Sequence, residues 1–240
     1  MNRHSTQLAA LSASLMVGTA ALAQIPPLPN PQGPGTVCGT CCQAQPPIAG
    51  FNRPVAITTD YQFDLVTFQN GDPNKIVLHV YEVGSPPAPP AVWNAPRYEH
   101  PSWRLGDIGT VFGVTTDDQG NIYVAHTSIF MSNEVGTLGG TTGAITRIDG
   151  ATGVPSLLVN LPNSQDGPGL GNLTWSCARR CLYVTNFEDG RIYRVDPFAA
   201  PGNRIKSAWD FATDTLDLSG NPDPNDPPGA VPYGERVWAV

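Results

Sequence analysis

The apolar residues of this chain fall in short runs, and the runs recur. Val55-Ala56-Ile57-Thr58-Thr59-Asp60 leads to Leu65-Val66-Thr67. Phe112-Gly113-Val114-Thr115-Thr116-Asp117 leads to Ile122-Tyr123-Val124, and Leu173-Thr174-Trp175-Ser176 leads to Leu182-Tyr183-Val184. Val237-Trp238-Ala239-Val240 opens the phrase once more. Runs of β-branched, aromatic and aliphatic residues bounded by Gly, Pro, Asn and Asp predict strands joined by turns. Beyond the N-terminal segment, no stretch carries an apolar pattern at the helical period.

The spacing of the runs says more than their content. Val66 to Tyr123 is 57 positions and Tyr123 to Tyr183 is 60. The phrases Ile145-Thr146-Arg147-Ile148-Asp149 and Ile192-Tyr193-Arg194-Val195-Asp196 lie only 47 apart. The 13 extra residues therefore belong between the second and third strands of the middle unit, at 128–142. Near-constant spacing of an all-strand unit predicts a blade-by-blade array. The expected fold is all-β, an incomplete β-propeller over 55–240. About three four-stranded blades are placed at 55–108, 109–168 and 169–233, with the first strand of the next at 234–240. Strands of the first blade are expected at 55–58, 63–68 and 75–83, with a fourth near 92–93. Ending inside a repeat, the chain is expected to be the N-terminal fragment of a longer propeller. A β-sandwich also uses short strands, but does not need the same phrase in each quarter.

Composition supplies an address. Residues 1–23 read as a signal peptide: Arg3 and His4 precede an Ala- and Leu-rich run that closes on Ala21-Leu22-Ala23. Residues 24–54 form a Pro- and Cys-rich leader that cannot be regular helix or central strand. The mature protein is expected to be secreted, periplasmic or at the cell surface, with no membrane span after cleavage. Lys and Arg number 13 against 20 Asp and Glu, without a basic cluster, so nucleic acid is not an expected partner.

Five cysteines suit an oxidising compartment. Cys177 and Cys181 flank a tight turn and are candidates for a disulfide across it. Cys38, Cys41 and Cys42 form a Cys-Gly-Thr-Cys-Cys group for which structural disulfides are again expected. An odd count leaves one thiol over, or pairs it elsewhere.

Gly120-Asn121-Ile122-Tyr123-Val124-Ala125 resembles the repeat phrase of NHL-type propellers. Asn172 to Ser176, followed by Cys181 to Asn186 and Ile192 to Asp196, resembles a blade of the gluconolactonase and senescence-marker-protein group. The resemblance implies a propeller fold. It also implies an alternative activity, that of a metal-dependent lactonase or esterase-like hydrolase with a divalent cation on the axis. Asn172 and Asn186 are the candidate ligands, and oxygen donors of that kind suit Ca²⁺. The pattern departs from the family at both. The family's amide, four residues before the Trp, falls at Gly171, and its aspartate falls at Asn186.

No catalytic arrangement is evident in the residues themselves. The first expectation is a scaffold that binds a protein or glycan partner. Its binding loop is the 128–142 insertion, where Ile129, Phe130 and Met131 are the candidate contacts, because loops carry function on rigid scaffolds.

Overall fold

The computed structural model describes residues 55–60, 63–64, 69–82, 95–129, 135–163, 167–210 and 215–217. Residues 1–23, read as a signal peptide, the 24–54 segment with its three cysteines, and 218–240 lie outside them. The described chain is all-β, with one short helix, α1 (Leu105–Ile108), and one 3₁₀ turn at Pro201–Asn203. Every strand pairing is antiparallel.

Alternating apolar residues and Asp- or Gly-bearing turns produce two meanders. The first runs β6 (Val111–Thr116), β7 (Ile122–His126), β8 (Ala144–Ile148) and β9 (Pro155–Asn160), paired in that order. The second runs β10 (Leu170–Ser176), β11 (Cys181–Asn186), β12 (Arg191–Val195), β13 (Ile205–Asp210) and β14 (Thr215–Asp217). The sheet before them has three strands, β1 (Val55–Thr59), β4 (Leu78–Glu82) and β5 (Arg97–Tyr98).

That first sheet departs from expectation. β1 pairs directly with β4, and not with a strand at 63–68. Residues of that stretch belong instead to a separate hairpin, β2 (Phe63–Asp64) with β3 (Gln69–Asn70). The spacing from Val66 therefore measured the wrong strand. Thr59↔Leu78 matches Thr116↔Ile122 in register, but spans nineteen positions where the second spans six. The insertion sits inside the first hairpin and mimics a strand, because its sequence at 65–68 is a short, largely apolar run. The strand expected at 92–93 falls outside the described residues, and β5 supplies the third strand at 97–98.

The three sheets stack in chain order, and the middle one is covered on both faces. All five residues of β7 are buried. Tyr123 and Ala125 join Ile145, Leu158, Leu173, Leu182, Val184 and Tyr193 in one apolar cluster. Ile122 and Val124 point the other way, to Val77, Leu78, Val80, Trp103 and Val111. A strand alternates its side chains between faces, so a strand buried throughout is one packed from both sides. Tyr123 and Trp175 stack across the interface at 6.3 Å with 6° between their planes, a contact worth about 1 kcal/mol beyond area. On the other side Trp103 Nε1 donates to Gly153 O at 2.8 Å, so the indole is anchored as well as buried.

The first strands of the sheets approach one another most closely. β6 and β10 both carry a register shift, between Val111 and Val114 and between Leu170 and Leu173. Each bulge holds a glycine. A Cβ on Gly113 would meet Gly171 O at 2.8 Å, Asn172 Cα at 2.9 Å and Leu173 N at 3.0 Å. The two bulges thus touch backbone to backbone, which only glycine allows. On the other side Thr59 Oγ1 donates to Phe112 O at 3.0 Å, tying β1 to the same bulge of β6.

Two Asp–Tyr pairs pin the turns. Asp117, 1 % exposed, accepts from the N–H groups of Gln119 and Asn121, from Asn121 Nδ2 and from Tyr123 OH. Asn121 passes the network on, accepting from Arg147 Nη2 and Gly150 N. Asp189 accepts from Arg191 N at 3.0 Å and Tyr193 OH at 2.5 Å. Burial first, and the neighbouring carboxylate second, hold both phenols well above their ordinary value. Burial likewise lifts Asp189 to about 6.

Candidate functional site

Both meanders turn at one place, and a short connecting segment is held between them. β7 runs on through Thr127 and Ser128, and β11 runs on through Phe187 and Glu188. Between them lies Gly167-Pro168-Gly169, which leads into β10. Thr127 forms a β-bridge with Gly169. Ser128 N donates to Pro168 O at 3.0 Å, Thr127 Oγ1 to the same oxygen at 3.3 Å, and Ser128 Oγ to Gly167 O. From the other sheet, Phe187 N donates to Gly169 O at 3.1 Å. Glycine is required in this clasp at Gly169, where a Cβ would meet Thr127 Cα and Thr142 O at 2.9 Å. The Glu188 carboxylate occupies the place where a Cβ on Gly167 would stand, and Gly169 has φ +79°.

The clasp is polar and buried. His126, Thr127, Thr142, Asn186 and Glu188 are each at most 5 % exposed. Asn186 Nδ2 donates to Asn163 Oδ1 at 2.6 Å, and Asn186 Oδ1 accepts from Glu188 N at 3.0 Å. The Nδ2 of Asn163 is buried with no hydrogen-bond partner, a donor left over in a polar setting. The insertion expected to bind a partner leaves from this clasp. The β7–β8 connection is indeed the long one, since β11 and β12 are joined by four residues. Ile129 is half-buried in a turn, while Phe130 and Met131 lie outside the described residues. The returning limb leans on α1: Thr137 N donates to Gly106 O and Asp107 O at 2.9 and 3.1 Å.

The two asparagines singled out from sequence have separate occupations. Asn172 Oδ1 accepts from Leu173 N within its own bulge, and its carbonyl accepts from Thr185 Oγ1. Asn186 is spoken for by Asn163 and Glu188. Among the described residues no group of three or more His, Cys, Asp or Glu is arranged to hold a metal. An axial calcium ion would need several oxygen donors aimed at one point. These residues do not fit that demand.

The bridge expected across the β10–β11 turn is not formed: Cys177 and Cys181 are not joined in a disulfide. Ser176, not Cys177, is the residue opposite Cys181, which places Cys177 in the turn itself. Cys38, Cys41 and Cys42 lie outside the described residues.

Sequence reasoning passed over the clasp because its parts are scattered over about sixty positions. Gly167-Pro168-Gly169 was the available signal, as a close-approach segment. It also passed over a kinship between Asp60–His79 and Asp117–Tyr123. Asp60 N bonds Val77 O as Asp117 N bonds Asn121 O, and His79 Nε2 lies 3.8 Å from Asp60 Oδ2. His79 Nδ1 sits 2.7 Å from Glu99 Oε1, which Arg97 also engages at 2.9 Å, so this histidine is a buried structural partner.

No protein-family model matches the chain, and no curated protein matches it. Among the described residues no helix is long and apolar enough to cross a membrane.

Proposed function

We propose that the sheets are blades of a β-propeller and that the chain works as an exported scaffold binding a protein or glycan partner. The supporting observation is the seam of first strands. β1, β6 and β10 lie side by side: the bulges of β6 and β10 meet backbone to backbone, and the Thr59 hydroxyl of β1 donates to the bulge of β6. Sheets that converge on their first strands and pack face to face in chain order are what a shared axis requires. The export signal read at 1–23 gives the compartment.

The partner meets the end of the sheets where the 127–143 connection leaves the clasp. The connection is held at two points, by the clasp at Ser128 and by α1 at Thr137. A loop with fixed roots presents its tip reproducibly, so less ordering entropy is lost on binding. The hydrolase reading finds no comparable support, because its two candidate ligands are engaged elsewhere.

The test is a glycan array and a panel of extracellular proteins, probed with the wild-type chain and with a variant whose residues 129–134 are replaced by Gly and Ser. Binding that the loop variant loses while keeping its far-UV spectrum supports the reading. Binding that survives the replacement removes the loop from it. Divalent-cation-dependent lactone hydrolysis would restore the alternative.

A further inference from the structure

The opposite end of the last sheet holds a different feature. Arg179, Cys181, Arg194, Asp196 and Lys206 line an open cavity of about 320 Å³. Register explains why these residues meet. Cys181 and Tyr183 share one face of β11, and Tyr183 is opposite Arg194 on β12. Arg194 is in turn opposite Ser207, while Val195 is opposite Ile205. Lys206 is therefore the extra residue of a bulge, and a bulge re-aims the side chain it carries. Arg179 reaches the same place from the β10–β11 turn.

The charges do not balance. Three cations face one carboxylate, on a chain whose net charge is −7. Asp196 is 3.8 Å from Lys206. Neither Arg179 nor Arg194 has a carboxylate partner among the described residues. Burial holds the Cys181 thiol in its neutral form, so it does not offset the excess. Like charges gathered in a cavity repel one another, and an anion relieves the repulsion.

We propose that this cavity binds a phosphate group, held by the guanidinium groups of Arg179 and Arg194 with Lys206 as a point charge. Two arginines supply paired donors that match tetrahedral oxyanions. The volume is at the small end of ligand sites, which suits inorganic phosphate or the monoester of a small molecule.

The experiment is calorimetric titration of the whole chain at low ionic strength with inorganic phosphate and, separately, with a hexose phosphate. Saturable phosphate binding is expected, with chloride at equal ionic strength failing to displace it. Tighter binding of the hexose phosphate assigns the site to an organic monoester, and equal binding assigns it to the free ion. Arg194→Gln should weaken binding about tenfold or more, as loss of a charge-assisted hydrogen bond implies. Arg179→Gln, in an exposed turn, tests the same point without risk to the sheet, and Arg97→Gln on the first sheet should bind as wild type does. Absence of saturation at tens of millimolar, or equal affinity in Arg179→Gln and wild type, overturns the proposal.

Discussion

Replacing Gly113 with alanine should open the seam between β6 and β10. The added methyl would meet three backbone atoms at 2.8 to 3.0 Å, where ordinary contact begins at 3.4 Å. None of the three can rotate aside, so the strands must separate by about half an ångström, an overpacking that typically costs about 1–3 kcal/mol. A Gly→Ala change also removes freedom from the unfolded chain, which stabilises by about 0.4–1 kcal/mol. The clash wins, for a net loss of about 1–2 kcal/mol. Gly202→Ala is the control, since a Cβ there meets nothing within 4 Å. Only the unfolded-state term applies to it, and its stability should equal or slightly exceed that of the wild type. Urea unfolding followed by tryptophan fluorescence measures both. If Gly113→Ala matches Gly202→Ala, the first strands do not touch as described, and the converging arrangement behind the propeller reading goes with them.

Three further outcomes follow from the same geometry. Burial lifts Asp189 from the ordinary carboxylate value of 3.8 to about 6, so the fold favours its protonated form. The stabilisation from that proton is complete below pH 4 and is lost as pH rises through 6, by up to roughly 3 kcal/mol. Asp189→Asn should remove this dependence, gaining on wild type between pH 4 and 7; urea midpoints that differ by the same amount at both pH values refute it. Asp117→Ala strips partners from Tyr123 OH, from Asn121 Nδ2 and from two backbone N–H groups, and should cost about 2–4 kcal/mol in the same assay. Peptide mapping after alkylation under non-reducing conditions should yield Cys177 and Cys181 as separate alkylated thiols, and a cross-linked peptide would contradict the turn geometry.

The meanders were readable from sequence because their signals are local. Asp-Gln-Gly-Asn at 118–121 and Glu-Asp-Gly at 188–190 mark tight turns, and β12 alternates buried and half-buried residues throughout. The first sheet was misread for a physical reason. Strand propensity at 63–68 is real, yet pairing belongs to whichever strand completes the buried face. Val77, Leu78 and Val80 do that, against Trp103 and Val111. The clasp was hard to read because its ties are mostly backbone hydrogen bonds between segments far apart in the chain, with Gly167-Pro168-Gly169 as the local signal. Asn172 and Asn186 became candidate ligands through the family resemblance, although the pattern departs from it at both; their hydrogen bonds show prior commitments. The phosphate cavity escaped notice because a single bulge residue, Lys206, changes which side chains meet.

The rung at 167–169 bears on how the molecule melts. In a serial array each unit senses only its neighbours, and ends can fray while the middle persists. Here one tripeptide is stitched to both meanders, so neither can unzip at that end without loosening the other. Nicking the backbone within this rung would uncouple the two, turning one concerted transition into two.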